Sequence, residues 1–279
     1  MAVPIGNCKD ISLRAIDHLK ESELLLCEDT RKAKFLIQQL GLSDQVKAKI
    51  VSIPGTEEFN TSKLEYYFTH YQNIVFMSDA GTPVINDPGR NLIKIAQQNN
   101  FDVIALPGAC APICLWQWSG GFSEPLVVKG FFPKQKSIEH ADVKEFFKPL
   151  YQGYSLVFFL TKYQIAQLKK CMEFYSWESL ESRVGRDMTK AHEELLSGTL
   201  SEVLSSLEQR KEQSNRVGEL TVLLKSVSKD SGQSTISKEA LMEFYGASKK
   251  QAAKWLKMNV ETDQKISELY EELVAAEHK

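Results

Sequence analysis

The chain lacks the short motifs of several large enzyme classes. Its 279 residues contain neither G-x-G-x-x-G nor G-x-x-x-x-G-K-[ST], which argues against ordinary dinucleotide and triphosphate binding. G-x-S-x-G, H-E-x-x-H and C-x-x-C are absent too, which argues against hydrolase, zinc-protease and dithiol chemistry. The five histidines are scattered. A site in this chain must therefore work with carboxylates, backbone groups and shape.

No excess of charge and no long apolar run is present either. The 34 basic residues against 36 acidic ones give a net charge of −2, so a polyanionic partner would have to bind a local basic patch. The five cysteines lie in apolar segments, as in reduced cytosolic proteins, and Cys110 and Cys114 lack neighbouring zinc ligands. No signal peptide or run of about 18 apolar residues occurs. We expect a cytoplasmic protein with no metal site and no membrane segment.

Short apolar runs alternate with amphipathic segments over residues 1–119. Strands are predicted at Leu24–Cys27, Ile50–Ile53, Ile74–Met77 and Val103–Leu106. Four helices are predicted. The first has Leu13, Ile16 and Leu19 on one face, and the second covers Ala33–Leu40. The third runs from a Ser62/Glu65 capping box to Tyr71, and the fourth lies around Leu92–Ala96. Met1–Val3 is short for a strand, yet Pro4–Asn7 looks like a turn that follows one. The alternation predicts an α/β domain with a mainly parallel sheet covered on both faces.

A second α/β domain is predicted over residues 120–226, beyond a glycine-rich boundary. Its predicted strands are Pro125–Phe132, Tyr154–Leu160 and Glu219–Leu224, and its predicted helices are Lys144–Leu150, Ile165–Tyr175 and one opened by a Thr199/Glu202 capping box. Residues 227–279 read as a linker and a helical tail. The break at Gly246–Ser248 also fits a helix-turn-helix, but a helical cap or dimer contact is favoured because acidic residues outnumber basic ones there.

The most distinctive segment is the acidic loop Ser78–Gly89, which directly follows a predicted buried strand. Gly81 and Gly89 permit unusual backbone angles, and two prolines stiffen the loop. Asp79 and Asp87 place charge at its two ends, although Asp, Gly and Pro are also ordinary turn residues. Because open α/β sheets bind ligands at the carboxyl ends of their strands, this loop should meet Glu28–Arg31 and Leu106–Ala109 in one cleft.

S-adenosylmethionine suits such a site. Its sulfonium is cationic, its amino acid end needs hydrogen bonds, and its adenine fits an apolar slot. Methyl transfer is an in-line displacement for which positioning supplies much of the rate, and an acidic side chain can help to deprotonate a hydroxyl acceptor.

The motifs in combination resemble the ribosomal RNA small subunit methyltransferase I family of the tetrapyrrole methylase superfamily. The motifs are Pro4–Asn7, Asp10–Ala15, Glu28–Arg31, Ser78–Gly89 and Leu106–Ala111, with weaker similarity at Gly130–Lys134, Gly185–Lys190, Gly198–Leu200 and Gly218–Glu219. The resemblance implies two α/β domains with an S-adenosylmethionine cleft between them and a small helical extension. It also implies a homodimer that methylates a cytidine ribose 2′-hydroxyl in 16S ribosomal RNA.

The same resemblance assigns roles to individual residues. The cofactor site would be lined by Pro4, Asp79, Ala80, Gly81, Thr82, Ile85 and Pro107, with Thr82 at the methionine end and Ile85 on the apolar wall. Glu28, Asp29 and Arg31 would face the acceptor, with Asp29 as the proton acceptor. Two alternatives stay open: Arg31 clamps phosphate or merely pairs with Asp29, and the two acids merely supply negative charge to a helix amino terminus.

Two departures from the family pattern affect the substrate side. Where the family has E-S-x-H-R, this chain reads Leu160–Gln164, and where it has H-x-H-N-E, this chain reads Pro54–Glu58. Losing Arg and His weakens the expected grip on RNA phosphate, which Lys162 could partly restore. Two alternatives therefore stay open: a methyltransferase with a tetrapyrrole or other small-molecule acceptor, and a protein that binds the cofactor or the ribosome without turnover.

Overall fold

The computed structural model describes residues 1–53, 61–134, 141–214 and 217–227, together with Ala253 and Glu271. The chain divides into two compact units. Unit 1 comprises Met1–Cys114 and Asp187–Glu193, and unit 2 comprises Leu115–Arg186 and Glu194–Lys279. Each unit has its own sheet, which confirms the predicted pair of α/β units. The predicted linker and tail lie almost wholly outside the described residues.

The sheet of unit 1 is parallel and, in the part described, has the order β2-β1-β3. Its strands are β1 (Leu24–Cys27), β2 (Lys49–Ser52) and β3 (Ile74–Met77). The helices are α1 (Leu13–Glu21), α2 (Thr30–Gln39), α3 (Thr61–His70) and α4 (Arg90–Gln98), and the next helix, α5 (Ala111–Trp118), begins in unit 1 and ends in unit 2. Along β1, Leu25 packs in a cluster with Leu19 of α1, whereas Leu26 packs in a second cluster with Leu92 of α4. The sheet is therefore covered on both faces, as the apolar run of β1 predicts.

Three local predictions for unit 1 are wrong. Val103–Leu106 forms no strand. Among the described residues, its one backbone hydrogen bond to another segment runs from the Ala2 amide to the Leu106 carbonyl, and a strand needs a continuous ladder. Leu13 is 79% exposed, since the buried stripe of α1 consists of Ala15 and Leu19. Ser62 lies inside α3 and so cannot be its amino-terminal cap.

Unit 2 has a mixed sheet in the order β4-β5-β8-β6-β7. The strands are β4 (Leu126–Phe131), β5 (Ser155–Leu160), β6 (Glu181–Arg186), β7 (Glu194–Thr199) and β8 (Leu220–Leu224), and the helices are α6 (Ala141–Tyr151), α7 (Ile165–Tyr175) and α8 (Leu200–Ser214). β4 and β5 are parallel, whereas the other pairs are antiparallel. The sequence reasoning missed β6 and β7, because their glutamates and arginines hide a strand pattern.

An aromatic cluster forms the core of unit 2. Phe147 contacts Phe158 of β5, Tyr175 of α7 and the buried Trp177. The predicted capping box is confirmed: the Glu202 amide donates to the Thr199 hydroxyl oxygen at 3.3 Å, and the Thr199 amide donates to the Glu202 carboxylate at 2.9 Å. Among the helices described in either unit, none has the length and apolarity needed to cross a membrane.

Candidate active site

The motif loops of unit 1 leave the same edge of its sheet. β1 and β3 pair in parallel with Cys27 opposite Met77, so Glu28–Arg31 and the loop Ser78–Gly89 start side by side. The third segment is also attached, since the Thr82 hydroxyl donates to the Ala109 carbonyl at 2.9 Å. The structure thus brings together the three loops that the sequence predicts to converge.

Two carboxylates lock the first two loops to each other. The Asp79 amide donates to Glu28 Oε1 at 2.9 Å, and in return the Asp29 amide donates to Asp79 Oδ1 at 3.0 Å. Lys32 Nζ donates to the second Asp79 oxygen at 2.8 Å. Each acid therefore satisfies a backbone donor of the opposite loop, and the loops hold one another in register.

Asp29 and Arg31 form a pair at the start of α2. The Asp29 carboxylate caps the helix by accepting from the Arg31 amide at 2.8 Å, and it also accepts from Arg31 Nη2 at 2.7 Å. The side-chain hydrogen bond from Arg31 is the main reason why the pKa of Asp29 falls from 3.8 to about 2. The Arg31 side chain is 89% exposed, so one face of its guanidinium remains open to solvent.

The backbone of the acidic loop is unusual at both glycines. Gly81 has a φ of +70° and pairs with Val3, whose amide donates to the Gly81 carbonyl at 2.9 Å. Gly89 has a φ of +125°, and a Cβ there would collide with the ring of Phe76. A side chain would therefore clash at Gly89 and would be strained by the positive φ at Gly81.

The cofactor residues predicted from the resemblance lie on these loops or directly beside them in the chain. Pro4 follows the Val3–Gly81 bridge directly, while Ile85 is 38% exposed and Pro107 is exposed. The Thr82 hydroxyl donates its proton to Ala109, so it retains its oxygen as an acceptor. Exposed apolar side chains and acidic side chains therefore belong to the same joined loops.

Pro4–Asn7 is backed by the segment Asp187–Glu193, which belongs to unit 1. The Asn7 amide donates to Thr189 Oγ1 at 3.1 Å. A Cβ at Gly6 would lie 2.6 Å from that oxygen and from Lys190 Cγ, so glycine is required for this close approach. The end of the segment Gly185–Lys190 thus contacts a motif that is far away in sequence.

Asp87 is a functional candidate that the sequence reasoning named in the loop but did not assign to the site. It is half-buried, and it lies close enough to the carboxylates of Glu28 and Asp79 to be affected by their charge. Burial first, and the neighbouring charge of Glu28 second, raise its pKa from 3.8 to about 6. The sequence feature that pointed to Asp87 was its position between Pro83 and Gly89 in a stiff loop. The burial of its side chain could not be predicted from the sequence.

The departure at Leu160–Gln164 has a structural explanation within unit 2. Leu160 lies in the core, and Gln164 is buried. Gln164 Nε2 donates to the Phe132 carbonyl at 2.6 Å, while its Oε1 accepts from the Thr161 hydroxyl at 2.8 Å. Gln164 thus ties the end of β4 to the end of β5. The other departure, Pro54–Glu58, lies outside the described residues.

Comparison with known proteins extends the resemblance over most of the chain. The model of the Tetrapyrrole (Corrin/Porphyrin) Methylases family matches residues 2–204. A protein named ribosomal RNA small subunit methyltransferase I from Leptospira biflexa is 34% identical over 70% of this chain and 79% of its own length. The protein of the same name from Mesomycoplasma conjunctivae is 30% identical over 81% of this chain and 89% of its own length.

Solved structures agree on the fold. A diphthine synthase crystal structure has a TM-score of 0.58 at 13% identity and covers 80% of this chain and 88% of that one. Cobalt precorrin-4 methyltransferase has a TM-score of 0.54 at 13% identity and covers 81% of this chain and 92% of that one. The chain belongs to the tetrapyrrole methylase family, among the proteins related to ribosomal RNA small subunit methyltransferase I.

Proposed function

We propose that this protein is an S-adenosylmethionine-dependent methyltransferase that acts on the 2′-hydroxyl of a cytidine ribose in 16S ribosomal RNA. The carrying observation is the mutual locking of Glu28 and Asp79 across two motif loops at the carboxyl edge of a parallel sheet, where α/β folds bind ligands. The names of the relatives support the substrate. We further propose that it works in the cytoplasm as a homodimer.

The residues of unit 1 suit the methyl donor. The acids Glu28, Asp79 and Asp87 create a negative field that favours a sulfonium, and the exposed Ile85 and Pro107 offer apolar surface to adenine. We assign cofactor binding to the predicted set: Pro4, Asp79, Ala80, Gly81, Thr82, Ile85 and Pro107. When bound, the cofactor supplies an electrophilic methyl group. A uroporphyrin-III C-methyltransferase of the same fold, from Thermus thermophilus, has been solved in complex with S-adenosyl homocysteine.

The acceptor side is assigned to Glu28, Asp29 and Arg31. The open guanidinium of Arg31 is suited to a phosphate, and Asp29 holds it in place through two hydrogen-bonded atoms. With a pKa of about 2, Asp29 is a weak base, so we assign it to orienting the acceptor. Asp87, whose pKa of about 6 is closer to neutrality, is the better proton acceptor for the hydroxyl.

The test is to incubate the protein with labelled S-adenosylmethionine and under-methylated small subunits, and then to locate the label by nuclease digestion and mass spectrometry. Label on a cytidine ribose supports the proposal. Transfer to a tetrapyrrole without RNA would replace it with the small-molecule alternative. Cofactor binding by calorimetry without any methyl transfer would indicate a binding protein. The matched variants Asp87→Asn and Asp44→Asn separate loss of the proton acceptor from loss of surface charge, because Asp44 is exposed in the turn after α2.

A further inference from the structure

Strand β4 exposes apolar side chains on one face of the unit 2 sheet. Phe131 is 52% exposed, and Val128 is exposed as well. The Phe131 ring packs against the half-buried ring of Phe159 on β5, with 5.3 Å between the ring centroids. In the described part of unit 2, β4 is the edge strand of its sheet. Two aromatic rings therefore lie side by side at the surface.

An irregularity in β4 turns Phe131 towards this face. Val128 lies opposite Val157 and Phe131 lies opposite Phe159, so β4 advances by three residues where β5 advances by two. Residues three apart on a regular strand point to opposite faces, but the extra residue of a β-bulge lets Val128 and Phe131 share a face. Phe158 points to the other face, where it packs in the core. The bulge therefore directs Phe131 away from the core, and such bulges are over-represented next to active sites.

A third aromatic side chain follows β5. Tyr163 is 78% exposed, and Lys162 Nζ lies 5.2 Å from the centroid of its ring. The next residue, Gln164, donates from Nε2 to the Phe132 carbonyl at 2.6 Å. Because Phe132 directly follows Phe131, this hydrogen bond fastens the segment that carries Tyr163 to the end of β4. The name β4–β5 patch is used here for Phe131, Phe159, Lys162 and Tyr163.

The two segments that carry the β4–β5 patch are basic. Residues 126–134 and 159–164 contain Lys129, Lys134 and Lys162 but no Asp or Glu, although the whole chain has a net charge of −2. Lysines beside exposed aromatic rings are typical of surfaces that bind single-stranded nucleic acid, because the lysines attract phosphates and the rings stack with bases. The charge of these segments therefore favours a polyanion with flat rings over an apolar protein surface.

We propose that the β4–β5 patch binds an unpaired stretch of RNA, with one base stacked on Tyr163 and another on Phe131. The inference rests on the proposed function for the identity of the polyanion. Lys162 pairs with a phosphate of the same stretch. Where the family pattern has a His and an Arg, this chain holds RNA by stacking and by the charge of Lys162.

The test of stacking measures fluorescence anisotropy with a labelled oligocytidylate of about 12 nucleotides and with an abasic RNA of the same length. Tyr163→Ala should weaken binding of the oligocytidylate about tenfold and leave binding of the abasic RNA unchanged, because the abasic RNA has no bases to stack. Tyr163 is 78% exposed, so this change leaves the core intact. Tyr163→Phe keeps the ring and should bind as wild type does. The control Tyr66→Ala removes an exposed tyrosine of α3 in unit 1 and should also bind as wild type does.

The test of the phosphate contact uses Lys162→Gln. This variant should bind both RNAs more weakly, and the slope of log affinity against log salt concentration should become shallower by about 0.7, as expected for one contact with a single strand. The matched control Lys170→Gln removes an exposed lysine of α7 and should leave the slope unchanged.

Unchanged affinity for the oligocytidylate in both Tyr163→Ala and Phe131→Ala would overturn the proposal. A Phe131→Ala variant that changes its oligomeric state in light scattering but keeps its RNA affinity would also overturn it, since the patch would then be an interface between copies of the chain.

Methyl transfer to small subunits separates this proposal from the proposed function. The patch predicts that Tyr163→Ala raises KM by a larger factor than it changes kcat. If wild type methylates the subunits and Tyr163→Ala has the same KM, the patch is wrong and the proposed function stands. If the variants change RNA affinity as expected but wild type transfers no methyl group to RNA, the patch stands and the proposed function is wrong.

Discussion

Replacing Asp87 by Asn should make the protein more stable and less active. In the native state the Asp87 carboxylate is half-buried and faces the negative charges of Glu28 and Asp79, and its pKa rises from 3.8 to about 6. The charged form is therefore disfavoured by folding. Asn has nearly the same shape and carries no charge.

The magnitude follows from the pKa. The rise from 3.8 to about 6 corresponds to about 3 kcal/mol at about 1.36 kcal/mol per pKa unit. Because about half of the group is exposed, solvent screening reduces the expected gain to about 1.5 kcal/mol at pH 7. The gain should begin as the pH rises above the unfolded pKa of 3.8 and should be complete above the native pKa of about 6, so it should be small at pH 4, most of its full size at pH 5.5 and complete at pH 7.

The assay is urea unfolding of wild type, Asp87→Asn and the control Asp44→Asn at pH 4, 5.5 and 7. The first variant should gain stability over wild type only at the higher pH values, while the control should stay within about 0.5 kcal/mol throughout. Methyl transfer by Asp87→Asn should fall by about 100-fold or more, as expected for loss of a general base. A destabilised Asn variant at pH 7, or a gain that is equal at pH 4 and 7, would refute the reasoning.

Three further outcomes are expected from other residues of the site. Glu28→Ala should lower the free energy of unfolding by about 1–3 kcal/mol, because the Asp79 amide loses its acceptor. Glu28→Gln keeps an oxygen at that place and should lower the free energy of unfolding by less than about 1 kcal/mol. Urea unfolding compares the two variants. Asp29→Asn should reduce methyl transfer more than the cofactor affinity measured by calorimetry, and an equal loss of both would move Asp29 to the cofactor site. Gly89→Ala should destabilise the protein by more than about 1 kcal/mol, because φ is +125° and the added Cβ meets Phe76; an unchanged melting temperature would contradict the strain.

The elements that sequence reasoning found correctly are those with a strong local pattern. β1 is four buried apolar residues, and the Thr199/Glu202 box uses two side chains three residues apart. The errors arise where pairing decides the outcome. Val103–Leu106 has the composition of a strand, yet it lacks the continuous ladder that a strand requires.

By itself the sequence determined which loops meet at the edge of the sheet, because Glu28–Arg31 and Ser78–Gly89 follow buried strands and combine acids with residues that fix the backbone. Only the tertiary structure decided the environment of each acid. Asp29 is held ionised by Arg31, whereas Asp87 is pushed towards the neutral form by burial and by Glu28. Both residues are aspartates in turns flanked by glycine or arginine. The difference between their pKa values depends on solvation and on charges brought close by another strand, and no local sequence pattern encodes these.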